Sequence, residues 1–246
     1  MRSVFLKEIK SFFSSIVGYV VIIVFLVITG LFMWVLPDSN QLDYGYATME
    51  KFFDLAPWML LFLIPAITMR TFPEERRSGT LEILFTKPLR DLDVILGKYF
   101  AAIVLVALAI LPTLLYILTL YNLKQEGHSL DSGGIIGSYI GLMCLASSFA
   151  AVGMFCSALT QNQVVSFLTS LVACFLLYQG FESISAMPAF RGTIDLLLSK
   201  IGMQFHYYNI SKGYIDTREV VYFATVAIIF ILSTQLALRS RNWEKK

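Results

Sequence analysis

Residues 16–36 read IVGYVVIIVFLVITGLFMWVL, a run of 21 residues without one charge. About 20 apolar residues, rising 1.5 Å each, cross the roughly 30 Å of a bilayer's hydrocarbon. The run exceeds a signal peptide's apolar core. It ends in Trp34-Val35-Leu36-Pro37-Asp38 with no small-x-small cleavage pattern, so it reads as a retained first span. Five more apolar runs follow, at 55–69, 99–121, 134–159, 164–181 and 220–238, all free of Asp, Glu, Lys and Arg. The run at 55–69 is the shortest and holds Pro57 and Pro65. It is either bent or lengthened by Phe52 and Phe53 beyond Asp54. Composition agrees: 57% of the 246 residues are apolar and 15% charged, with a mean hydropathy of +0.71. A soluble domain is about 45–50% apolar and 25% charged. These values exclude disorder. A net charge of +2 with no dense basic stripe argues against nucleic acid as a partner.

The expected fold is therefore an all-α polytopic membrane protein, one domain over 1–246 with six transmembrane helices in the lipid bilayer. Of the 19 Lys and Arg, 13 fall in odd-numbered hydrophilic segments and 6 in even-numbered ones. The positive-inside bias then puts both termini and the 70–98 segment in the cytoplasm. Before the first span, Phe5, Ile9, Phe12 and Ile16 share one helical face, with Ser3, Lys7, Lys10 and Ser14 opposite. Residues 1–15 read as an amphipathic helix in the membrane interface, or else as a plain extension of the first span.

Much common chemistry is missing. There is no phosphate-cradling G-x-x-x-x-G-K-[ST]; Gly97-Lys98 is followed by Tyr99. There is no H-E-x-x-H and no G-x-S-x-G. His128 and His206 fall in outside loops with no framing ligands. Cys144, Cys156 and Cys174 lie within spans, where cysteine packs as a small hydrophobe. Charge-free spans also argue against ion-coupled transport and against an intramembrane hydrolase. If this chain moves something, another chain must supply the energy.

The most informative loop is 70–91, RTFPEERRSGTLEILFTKPLRD. Thr71-x-x-Glu74 has the form of a capping box with Pro73 in the first turn. Gly79 can end that short helix with a positive φ, and Thr80 can cap a second one. On the second helix Leu81, Leu84 and Phe85 form an apolar ridge, with Glu82 facing away. Pro88 ends it, and Asp91 can cap the helix entering the third span. This platform suits docking into a partner's groove, or resting on the lipid interface and the chain's own helices.

The run EERRSGTLEIL at 74–84, followed by Pro88, is similar to the signature of ABC-2-type transporter permeases, E-x-x-x-G-T-x-E-x-L and then Pro. The matching residues are Glu75, Gly79, Thr80, Glu82, Leu84 and Pro88. The resemblance implies a type V exporter-like architecture and a coupling interface that also includes Leu81 and Phe85. Its partners would be a cytoplasmic ABC ATPase carrying the ATP and Mg, and a second permease subunit, identical or homologous. This chain itself would hold no cofactor and no catalytic or metal site. The resemblance further implies a bacterial inner-membrane location. It also implies short helices dipping at the outer face within 182–219. Residues 212–223 and 238–243 resemble the flanks of the family's last span. Within the family the chain is most similar to gliding-motility-associated permeases.

Gly133, Gly137 and Gly141, then Ala146, Ala150, Gly153 and Ser157, give the fourth span small residues four apart. Such faces let backbones approach closely, within one subunit or between two. Trp34, Trp58 and Trp243 fall near expected span ends. The aromatic run Phe205-His-Tyr-Tyr-Asn209 suits an interfacial belt or a substrate contact. Besides a permease subunit, a non-transporting membrane anchor or assembly factor of a larger machine fits the same pattern.

Overall fold

The computed structural model describes residues 1–36, 48–80, 90–123, 131–188, 192, 195–214 and 216–240. Among them the secondary structure is helical with no strand, and six helical stretches are long and apolar enough to cross a membrane. In chain order they are α1 (Arg2–Ser14), α2 (Ile16–Trp34), α3 (Glu50–Thr68), α4 (Pro73–Arg77), α5 (Asp91–Ile110) and α6 (Leu114–Leu123). There follow α7 (Ser132–Leu159), α8 (Gln163–Phe175), α9 (Phe181–Ser185), α10 (Asp195–Ser199), α11 (Met203–Ser211) and α12 (Thr217–Ser240). A 3₁₀ turn around Pro112 joins α5 to α6, and a π turn at Leu176–Gly180 joins α8 to α9. The third and fifth spans are thus each interrupted.

α7 is the axis of the bundle. Its most apolar stretch is 72% buried, against 22% for the equivalent stretches of α2, of α8–α9 and of α12. Helices α3, α5, α8, α11 and α12 pack around it. Small residues make this possible. A Cβ at Gly137 would meet the Ile210 carbonyl at 2.8 Å, and one at Gly153 would run into the Thr68 hydroxyl. Ser148 Oγ donates to the Phe223 carbonyl at 3.0 Å, tying α7 to α12. The small-residue face therefore serves packing within the chain.

The second span starts at Glu50, so Phe52 and Phe53 do extend it past Asp54. Its two prolines each remove a backbone donor. The carbonyl that Pro57 cannot reach, that of Phe53, instead accepts Tyr207 Oη at 2.8 Å from α11. Tyr207 is 1% exposed, so the donor is withdrawn from solvent as membrane depth requires. Because α3 begins early, Trp58 lies two turns inside the helix, against Phe175 and Tyr178, rather than at its end.

Ser15 breaks the chain between α1 and α2 with φ −101° and ψ 135°, making an elbow. Ile16 lies beyond it, exposed, and so does not share the α1 face expected for it. α1 packs on α5 through Val4 and Phe12. A Cβ at Gly97 would sit 3.1 Å from the Met1 carbonyl. In the aromatic run of α11, His206 and Tyr207 are held by partners within the chain. Both His206 nitrogens are engaged, one by Glu219 and one by the Lys200 carbonyl at 2.8 Å, and the ring stacks on Tyr222 at 3.7 Å.

Candidate coupling site

At the end of the bundle that carries α1, α3 hands over to α4 through Thr68, Arg70 and Phe72. The expected capping box does not form. Phe72 occupies the cap position with no side-chain bond, because Pro73 opens α4 and the Glu74 amide that Thr71 would have capped donates to the Arg70 carbonyl. Glu74 pairs back to Arg70, with Arg70 Nε donating at 3.1 Å. Arg70 Nη1 also donates to Ser15 Oγ at 2.7 Å, and that oxygen caps α2 through the Val17 amide. The end of α3 is thereby fastened to the α1–α2 elbow.

Glu75, expected in the coupling interface as a polar contact at the edge of a partner's groove, points inward and is only 6% exposed. Its Oε1 accepts from Lys7 at 2.6 Å and pairs with Lys98 at 3.0 Å. Its Oε2 is buried without a hydrogen-bond partner among the described residues. A carboxylate turned inward fastens α4 to the bundle and leaves nothing at its rim. Burial works against the Lys7 ammonium, but bonded Glu75, with Glu8 and Glu74 nearby, outweighs it and raises Lys7 above the ordinary lysine value.

Lys98 is the centre of the cluster. Its side chain is 0% exposed, two turns into α5. The ammonium donates to Glu8 Oε1 at 2.7 Å and to the Thr71 carbonyl at 2.9 Å, and it pairs with Glu75. Those three oxygens match its three protons. It also lies 5.3 Å from the centre of the Phe72 ring. Two cations, Lys7 and Lys98, thus face two anions, Glu8 and Glu75. The balance matters, since removing one partner of a buried pair costs about 3–5 kcal/mol. The third span at 99–121 stays free of charge, but the helix that carries it begins earlier, at Asp91, and brings Lys98 with it. The sequence signal was there. Lys98 interrupts the buried stripe Val94, Ile95, Ala101, Ala102 and Leu105 at helical spacing.

Arg76, also unmarked by sequence reasoning, reaches across to the end of α7. Its Nη2 donates to the Ala158 carbonyl at 2.5 Å and its Nη1 to the Thr160 carbonyl at 3.1 Å. A cation there satisfies carbonyls with no intrahelical donor and suits the negative end of the helix dipole. The Phe72 amide donates to Ser157 Oγ at 3.3 Å alongside. Asp91 does not cap α5. It is the first helical residue, behind Arg90, and accepts from Arg239 of α12 at 3.0 Å.

Gly79 ends α4 with φ 68° and nothing within 4 Å of where a Cβ would stand, so conformation rather than space requires glycine. Thr80 Oγ1 lies 2.8 Å from Ser78 Oγ and 3.4 Å from the Glu75 carbonyl. Ser78, Gly79 and Thr80 are exposed. The ridge and its helix, with Leu81, Glu82, Leu84, Phe85 and Pro88, lie outside the described residues, as do His128 and Trp243.

The chain matches the model of a family described as ABC-2 family transporter protein over residues 35–238. No curated protein matches it.

Proposed function

This chain belongs to the ABC-2 transporter family, and from that premise we propose that it is the permease subunit of an ATP-driven transporter whose ATP-binding subunit is a separate cytoplasmic chain. Family membership makes it a multi-pass membrane component rather than the ATPase. In this reading the ATP-binding subunit docks on the loop after α3, with Leu81, Leu84 and Phe85 in a groove and Glu82, Thr80 and Pro88 around them. ATP and Mg stay on that subunit. A second permease, identical or homologous, completes the translocation path. Both termini lie on the cytoplasmic side of a bacterial inner membrane. Likeness to gliding-motility-associated permeases extends the role to a machine that supports gliding.

The observation that carries this reading is the construction of the loop's first helix. Five residues of α4 are held by Lys98 and Lys7 on one side and by the end of α7 on the other. The chain then turns at Gly79, leaving 78–80, with the motif's Gly79 and Thr80, exposed. A loop that only covered its own helices would have no need of such bracing. The test is isolation of the chain from membranes in mild detergent and identification of its companions. A P-loop ATPase in fixed ratio is the expected result. Its consistent absence, with the chain intact and folded, overturns the reading.

A further inference from the structure

Resting on the reading above, we propose that Lys98 is a positioning residue for energy coupling: it makes α1, α4 and the start of α5 one body, so that a push on the loop turns the α1–α2 elbow.

α4 has five residues, too few to hold a helical pose alone. Its pose is set by what its side chains grip. Lys98 touches three elements at once: Glu8 on α1, Glu75 on α4 and the Thr71 carbonyl before α4. The remaining cation on Glu75, Lys7, has a side chain 53% exposed and sits on α1 itself, so it cannot tie α4 to α5. α1 and α5 already meet at backbone distance beside this point, where the Met1 carbonyl overlies Gly97. Arg70 links the same region to Ser15, where the elbow turns. A displacement of α4 must therefore carry α1 and α5 with it or pull charged groups apart in a buried site. A fully buried lysine is a costly way to fill space. Here its oxygens come from three separate elements, which suits the transfer of motion.

The experiment uses the permease–ATPase complex in nanodiscs. It measures the ratio of subunits, the KM for ATP and the turnover relative to the ATPase alone. The double variant Glu8→Gln with Lys98→Met removes one anion and one cation. It keeps the Lys7–Glu75 pair and leaves no surplus buried charge. We expect wild-type membrane levels, wild-type subunit ratio and unchanged KM. The permease's effect on turnover should fall at least tenfold, toward that of the ATPase alone. A double variant that modulates turnover as wild type does overturns the inference. So does one that fails to accumulate while Glu8→Ala, which removes only the α1 oxygen, accumulates and modulates turnover as wild type does, since the cluster would then serve folding. If the wild-type chain recruits no ATPase, the underlying reading fails first, and this inference with it.

Discussion

Gly153→Ala adds one methyl to α7 where α3 crosses it. The new carbon would fall inside the Thr68 hydroxyl and 3.1 Å from the Thr68 Cβ. Thr68 cannot swing away freely. It is fully buried, and its Oγ1 donates to the Ile64 carbonyl at 2.9 Å. Either the helices part or the hydroxyl rotates and its bond is lost. Overpacking of this kind costs about 1–3 kcal/mol, and the bond about 1 kcal/mol. Alanine in a helix returns about 1 kcal/mol relative to glycine. The expected net loss is about 1–3 kcal/mol, read from reversible SDS unfolding in mixed micelles. In a Thr68→Ala background the hydroxyl is gone and only the 3.1 Å contact remains. There the same substitution should cost below about 1 kcal/mol, a coupling typical of residues in contact. Gly153→Ala as stable as wild type, or equal effects in both backgrounds, would refute the close packing of α3 on α7 that supports the loop.

Arg76→Gln removes the charged donors from the Ala158 and Thr160 carbonyls. It should cost about 1–3 kcal/mol in the same assay, whereas Arg77→Gln, on the exposed side of α4, should cost below about 0.5 kcal/mol. Leu84→Asp should leave membrane insertion normal but abolish co-purification of the ATPase, since an unpaired carboxylate in an apolar groove costs several kcal/mol; retained association would assign the ridge to the lipid interface. In a cysteine-free background, a cysteine at exposed Ser78 should resist impermeant maleimide in intact cells and react after lysis. Labelling of intact cells would invert the topology.

The membrane class, the six spans and the turn at Gly79 were legible in the sequence because each rests on local facts. Run length against bilayer thickness decides a span, and a positive φ demands glycine. The capping box at Thr71 and the cap at Asp91 were misread because local patterns ignore competing partners. The Glu74 amide that Thr71 would cap goes to the Arg70 carbonyl, and Asp91 faces Arg239 on the last helix. Glu75 was recognised as a site residue, but its direction was invisible. Nothing within ten residues of it reveals that Lys7 and Lys98 wait on either side.

Hydropathy along the chain thus determined that this protein lives in a bilayer and where it crosses, since the solvent acts on each segment independently. Which helix is the axis, which glycines touch which neighbours, and where the charges of the loop turn were decided only by tertiary structure. Lys98 shows the reason. Its neighbours in sequence make it an intruder on an apolar stripe. Only the meeting of Glu8 and Glu75, 90 and 23 residues earlier in the chain, supplies the oxygens that make a buried ammonium tolerable.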